Sequence, residues 1–198
     1  MRSVEAVGML IPKTKKEIWL NRVRVWMPLA FVVVAVAVRP PAWNLWGIPF
    51  IVVGEALRTW AAGHLVKDEE LTVGGPYAHL RNPMYLGSLL STAGFLAIVG
   101  DWRLAVAFGV IALAIYIPTV RQEEDYLRRM HGEMFDTYCR AVPGIMPRLR
   151  PADLGALVGQ ERVSCPAFAW STVFANGEHN TWGALALLVI LLLVRSRL

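Results

Sequence analysis

Two short polar stretches of this chain carry residues able to do chemistry: "GGPYAHLRNPMYLG" at residues 74–87 and "RQEEDYL" at residues 121–127. In the first, Gly74 and Gly75 let the backbone approach a ligand closely or take positive φ. Pro83 suits the first turn of a helix, and the free N–H groups of a helix starting there favour a carboxylate or another anion. Tyr77 and Tyr85 offer ring faces for stacking and hydroxyls for hydrogen bonds. The same residues also fit an interfacial turn with an aromatic belt. In the second stretch, Glu123 and Glu124 point about 100° apart on a helix, so they are not a paired acid–base couple. One is able to face a pocket and hold a ribose hydroxyl pair or a cation while the other faces water. The blander alternative is a solvated helix end, with Glu124 and Arg128 as an ordinary i,i+4 pair.

Other polar residues fall among apolar ones. Glu55 and Arg58 stand three apart, as a neutralised packing pair or as a functional pair within a membrane helix. "GEHN" at 177–180 precedes the last apolar run, with Asn180 read as a helix cap. Neither G-x-G-x-x-G nor G-x-x-x-x-G-K-[ST] is present, nor a G-x-S-x-G elbow, so soluble nucleotide folds and that hydrolase class are not indicated.

The elements that must position these stretches are apolar helices. Hydrophobic residues make up 56% of the 198 and charged ones only 18%, where a soluble domain carries about 25% charged. The excess lies in runs at 19–38, 45–65, 84–99, 104–120 and 181–194. The last spans only about 21 Å at 1.5 Å per residue, short of the roughly 30 Å hydrocarbon core, and is read as spanning with help from its flanks. Residues 1–17 have no apolar core of their own, so no cleavable signal peptide is expected. The reading is an all-α, polytopic membrane helix bundle of about five transmembrane helices, with a cytoplasm-facing cofactor pocket, as one domain over 1–198. Residues 149–170, rich in Gly, Pro and Ala, are the nearest thing to a linker.

Lys13, Lys15, Lys16, Arg22 and Arg24 at the first helix, and Arg121, Arg128, Arg129, Arg140, Arg148 and Arg150 after the fourth, outnumber Arg39 and Arg103 on the other side. The positive-inside rule therefore puts the N-terminus and both polar stretches in the cytoplasm. The net charge of +5 is read as basic helix ends at anionic headgroups rather than as a nucleic-acid surface. Cys139 and Cys165 have no paired spacing and the four histidines are scattered, so neither a disulfide framework nor a metal site is expected.

The two stretches together resemble a known family. "GGPYAHLRNPMYLG", then a hydrophobic hairpin, then "RQEEDYLRRMHGEMFDTYCRAVPGIMPRL" is similar to the integral-membrane methyltransferases, the isoprenylcysteine carboxyl methyltransferases and the related phospholipid N-methyltransferases. The similarity covers about residues 63–149, leaving 150–198 as a C-terminal extension with the last helix. It implies a small helical fold, without a Rossmann sheet, that binds S-adenosylmethionine at the cytoplasmic membrane face. By motif position it implies that Lys67, Glu69, Glu70, Leu71, Thr72, Tyr77, Asn82, Pro83, Met84, Tyr85, Glu123 and Glu124 line the cofactor pocket. Arg81, Asn82 and Arg121 are the implied catalytic residues, with Arg81 or Arg121 facing the acceptor.

Two positions depart from the family pattern. Asn82 stands where a His precedes the Pro, and Asn cannot titrate near neutral pH. Thr119 stands where the isoprenylcysteine enzymes carry an Arg suited to a carboxylate acceptor. The expected function is transfer of a methyl group from S-adenosylmethionine to a lipophilic or small acceptor, isoprenylcysteine carboxylate-like or phospholipid amine-like. The alternative is a non-catalytic membrane binding or assembly protein that keeps the fold.

Overall fold

A computed structural model describes residues 15–39, 41–66 and 70–197, with side chains from Met27 onward. The chain is mostly helical: α1 Lys15–Val38, α2 Gly47–His64, α3 Pro83–Val99, α4 Trp102–His131, α5 Glu133–Ala141, α6 Trp170–Ala175 and α7 Glu178–Arg195. A short 3-10 helix, Gly75–Ala78, lies in the loop between α2 and α3. The all-α expectation needs one amendment. Leu71–Thr72 (β1) pairs in parallel with Val163–Ser164 (β2), Leu71 opposite Val163. This pairing ties the loop before α3 to the segment before α6, and nothing in the local pattern of either dipeptide announces it.

Local chemistry sets the helix ends. Pro83 occupies the first turn of α3, and Gly100 ends that helix in the left-handed region at φ +80°, where a residue without Cβ is favoured. Asp101 caps α4 by accepting from the Arg103 N–H at 2.9 Å, and its carboxylate also meets Arg39 at 3.2 Å. The cap of α7 is Gly177, at φ +82° with no side-chain bond, rather than Asn180. Helix α7 consequently starts at Glu178 and has 18 residues, about 27 Å of rise, which relieves the shortfall expected from its apolar run.

α2 and α3 pack antiparallel along a seam of small residues. A Cβ on Gly54 would lie 2.6 Å from the Gly87 carbonyl and 2.4 Å from Ser91 Oγ; one on Gly47 would lie 2.2 Å from the Gly94 carbonyl. Glycine at these positions lets the two backbones touch, the usual device for joining helices in an apolar medium. Beyond the seam, Val32, Val36, Phe95, Ile98, Val99, Leu188 and Leu192 join α1, α3 and α7 in one core. A second core forms around Leu71, Val73, Phe135, Tyr138 and Val142. Ala152, Leu154 and Leu157 are buried in that second core, so residues 149–170 are partly packed structure rather than a linker.

Two of the described helices are long and apolar enough to cross a membrane, Trp102–His131 and Glu178–Arg195; Met27–Val38 and Pro83–Val99 are shorter apolar helices. The expectation of about five spans therefore stands at two by length and hydropathy. Helix α2 carries Glu55, Arg58 and His64 within its 18 residues, which lowers its apolar character. Val106, Val110 and Leu113 on α4 and Leu187, Ile190 and Leu193 on α7 are exposed, an apolar girdle suited to lipid.

Candidate functional site

The loop before α3 and the last turns of α4 converge on one cavity of about 1110 Å³. Its loop wall is held from below by residues 138–152. The Tyr138 hydroxyl donates to the Tyr77 carbonyl at 2.8 Å. Burial pushes that phenol well above its ordinary value, so it remains a donor at any physiological pH. The Arg81 N–H donates to the Pro143 carbonyl at 2.9 Å, the Arg148 N–H to the His79 carbonyl at 3.0 Å, and the Ala152 N–H to the Ala78 carbonyl at 2.9 Å. Asn82 Nδ2 donates to the Gly144 carbonyl at 3.1 Å. The prolines at 143 and 147 thus turn the chain back beneath the loop, and Asn82 fastens the loop to that floor.

Across the cavity, the Tyr85 hydroxyl donates to Glu123 Oε2 at 2.7 Å, and the Tyr85 ring meets Tyr116 edge-on at 5.3 Å. Arg81 Nη2 lies 3.0 Å from Glu124 Oε1. The two glutamates therefore split as helical geometry requires, each engaging a different residue of the loop. The ordinary Glu124–Arg128 pair does not form. Arg128 instead engages Asp136 at 2.8 Å and Asp125 at 3.3 Å, because the turn into α5 brings Asp136 to it.

Tyr77, Arg81, Asn82, Pro83, Met84, Tyr85, Glu123 and Glu124 all line the cavity, together with Glu70, Leu71 and Thr72. Glu70 is exposed, and Leu71 and Thr72 are buried. Thr72 Oγ1 accepts from the Val66 N–H at 3.1 Å, closing the loop on itself. Lys67 and Glu69 lie outside the described residues. Arg121 is exposed and lies outside the cavity lining. One helical position away from Gln122 it points to solvent, so the acceptor role implied for it passes to no observed contact.

Several residues reach the cavity that motif reading did not select, among them Gln122, His131, Asn176, Glu178 and Thr181. Asn176 Nδ2 donates to the carbonyls of Ala62 at 2.8 Å and Leu65 at 3.0 Å, capping the C-terminal end of α2 from more than a hundred residues away. Glu178 pairs with Arg58, Oε1 to Nη2 at 2.8 Å. The expected pair of Arg58 with Glu55 also forms, at a longer 4.0 Å. Among the described residues the lining carries the carboxylates of Glu55, Glu70, Glu123, Glu124 and Glu178 against the guanidinium groups of Arg58 and Arg81, so that lining is acidic. Among the described residues no three His, Cys, Asp or Glu side chains group so as to hold a metal ion.

Cys139 is half-buried and Cys165 exposed. Burial, partly offset by Arg81, pushes the Cys139 thiol up, which lowers its thiolate fraction and reactivity. A time course of N-ethylmaleimide labelling in detergent at pH 7.5, read by peptide mass spectrometry, is expected to modify Cys165 several-fold faster. Equal rates would mean that the α5 face under Arg81 is open to solvent.

A family model described as phospholipid methyltransferase matches residues 43–134, the stretch holding α2, the loop, α3 and α4. Among curated proteins, the chain is 33% identical over 105 residues to the nickel-cobalt-cadmium resistance protein NccN of Alcaligenes xylosoxydans xylosoxydans, covering 52% of this chain and 47% of that protein. It is 30% identical over 113 residues to protein-S-isoprenylcysteine O-methyltransferase B of Arabidopsis thaliana, covering 51% and 57%. It is 28% identical over 110 residues to protein-S-isoprenylcysteine O-methyltransferase of Schizosaccharomyces pombe, covering 50% and 47%. The chain thus spans about half the length of the curated relatives it matches. No solved structure matches the chain.

Proposed function

We infer, from the match of residues 43–134 to the phospholipid methyltransferase family model, that the protein is a membrane-embedded, S-adenosylmethionine-dependent methyltransferase. The single observation that carries the reading is the Tyr85–Glu123 hydrogen bond of 2.7 Å. It joins the helix-start loop and the end of α4 on one acidic cavity.

The residues fit the cofactor. S-adenosylmethionine, when bound, supplies a methyl group on a cationic sulfur and carries a ribose, an adenine ring and an amino-acid end. Glu123, already accepting from Tyr85, offers its carboxylate to a cation or to a pair of ribose hydroxyls. The Tyr85 and Tyr116 rings give an aromatic wall, and the N-terminal turn of α3 suits a carboxylate. Gln122 Oε1 and Arg81 Nε are buried without a hydrogen-bond partner. Such atoms are costly to leave unpaired, and a polar ligand relieves them. Met84, Leu127 and Met130 in the lining exclude water around the reacting centre. Holding two reactants in line in a dry site supplies as much as roughly 7–11 kcal/mol in well-oriented systems, so no covalent enzyme intermediate is required. Asn82, fastened to Gly144, positions the loop; it cannot serve as a titrating base.

The acceptor is a lipophilic or small molecule, isoprenylcysteine carboxylate-like or phospholipid amine-like. The basic bias at the ends of α1 and α4 supports an active site on the cytoplasmic face. The matches to named methyltransferases weigh against a non-catalytic role. Titration calorimetry of the purified protein with S-adenosylmethionine is expected to give saturable binding at one site. A tritiated-methyl transfer assay on native membrane extract is expected to label a lipid-soluble product. Folded protein that binds no cofactor would overturn the reading.

A further inference from the structure

The cavity continues past the cofactor residues, and α3 gives its order. Tyr85, Ser88, Ser91, Thr92 and Phe95 line it from one broad face of that helix. At 1.5 Å per residue, Ser88 lies about 4.5 Å along the axis from Tyr85, Ser91 about 9 Å and Phe95 about 15 Å. The loop and Glu123 sit at the Tyr85 end. The wall at the Phe95 end is apolar, built with Leu29, Val32 and Leu188. Between them is a charged node that the proposed cofactor site does not use.

The node centres on Arg58. Its Nη2 donates to both oxygens of Glu178, at 2.8 and 3.0 Å, and to Thr181 Oγ1 at 3.1 Å. Its Nη1 donates to Ser88 Oγ. Glu178 is buried, 2% exposed; these bonds occupy Nη1 and Nη2, while Arg58 Nε is buried with no hydrogen-bond partner. On the other side of Arg58, Glu55 Oε1 accepts from Ser91 Oγ at 2.7 Å. Glu55 Oε2 is buried with no hydrogen-bond partner, 4.0 Å from Arg58 Nε. Two carboxylates therefore face one guanidinium, a net negative node, and Glu55 Oε2 and Arg58 Nε stand 4.0 Å apart, each without a hydrogen-bond partner. A buried acceptor left in this state costs about 1–3 kcal/mol, more when charged. A hydrogen-donating, cationic group entering the node relieves it. A carboxylate meets two glutamates against one arginine, with Arg58 Nε as the one unpartnered donor of that guanidinium.

Resting on the methyltransferase reading, we propose that Glu55 and Glu178, opposed across Arg58, form the head-group site for the acceptor and select an amine-headed amphiphile over a carboxylate-headed one. The head sits about one helical turn from Tyr85 and the chain runs toward Phe95 and Leu188. Glu178 belongs to α7, outside the matched family segment of residues 43–134. The C-terminal helix thereby supplies a specificity element of the site, and the preference departs from the O-methyl transfer in the names of two of its relatives.

The test uses the full chain in dodecylmaltoside, immobilised for scintillation proximity with tritiated dodecylamine, with protein-free micelles as background. Unlabelled dodecylamine is expected to compete at least about tenfold better than dodecanoate at pH 8, the worth of one charge-assisted contact. Glu55→Gln keeps an acceptor for Ser91 but loses the charge. It is expected to weaken dodecylamine binding about tenfold while calorimetric S-adenosylmethionine binding stays unchanged. Equal competition by dodecanoate, signal no greater than the micelle background, or unaltered amine binding in Glu55→Gln overturns the proposal. Competition by an aminophospholipid as well as by dodecylamine would assign the head group to membrane lipid, and competition by dodecylamine alone to a free amine; both support the node. Failure of cofactor binding with amine selectivity intact would sink the methyltransferase reading and leave the node standing.

Discussion

Glu123→Ala is expected to raise the dissociation constant for S-adenosylmethionine by about ten- to a hundredfold, the loss of one charge-assisted contact of about 1.5–3 kcal/mol. The substitution also frees the Tyr85 hydroxyl from its 2.7 Å bond, loosening the wall that faces the cofactor. Fold and binding separate cleanly at this position, because Glu123 lies on the part of α4 beyond its apolar length. The helical circular dichroism and elution profile in detergent are therefore expected to match the parent. Arg121→Ala, two residues earlier on an exposed face, serves as the matched control and is expected to leave binding within about twofold, as surface changes usually do. Calorimetric titration of both variants checks the pair. Parental affinity in Glu123→Ala would move the cofactor elsewhere in the cavity; equal losses in both would point to a long-range charge effect rather than a contact.

How much of this site is legible in the sequence depends on the range of each interaction. The apolar runs gave four of the helices nearly to their ends, since periodicity and Pro or Gly punctuation are local signals. Both polar stretches reach the cavity because helix order and loop length leave the loop before α3 and the end of α4 on one side of the bundle. Long-range pairings were hidden. Glu178 reads as a capping neighbour because "GEHN" precedes an apolar run, yet its partner Arg58 is 120 residues away. Asn176 carries no local mark of the α2 terminus that it caps. Glu124 had a plausible partner at i+4, and the competing pair won only because Asp136 folds back on Arg128. Residues 149–170 look like a linker by composition, but Leu154 and Leu157 find a core built by elements distant in sequence. In each case a local rule named an available partner and tertiary packing supplied a better one.

The seam between α2 and α3 sets the second large effect. Gly54→Ala is expected to lower the thermal unfolding midpoint in detergent by about 2–12 °C, taking about 1–3 kcal/mol for overpacking and about 2–4 °C per kcal/mol for a chain of this length. The added Cβ would meet the Gly87 carbonyl at 2.6 Å and the Ser91 N at 2.7 Å. These are backbone atoms, which cannot swing aside. Gly109→Ala gives the opposite sign: nothing lies within 4 Å of a Cβ there, and alanine in an open helix interior gains up to about 1 kcal/mol over glycine. The two variants add the same methyl group to helices of the same protein, so their difference isolates the close approach from helix propensity. The Gly54 effect is also expected to reach the chemistry. Ser91 Oγ, 2.4 Å from the new Cβ, is the atom that holds Glu55, and Ser88 on the same helix holds Arg58. Prying α3 from α2 moves both hydroxyls away from their charged partners. Dodecylamine binding in Gly54→Ala, measured below its lowered midpoint, is therefore expected to fall along with stability, whereas Gly109→Ala leaves it unchanged. A Gly54→Ala protein as stable as the parent would mean that the two backbones stand farther apart than 2.6 Å from that Cβ allows.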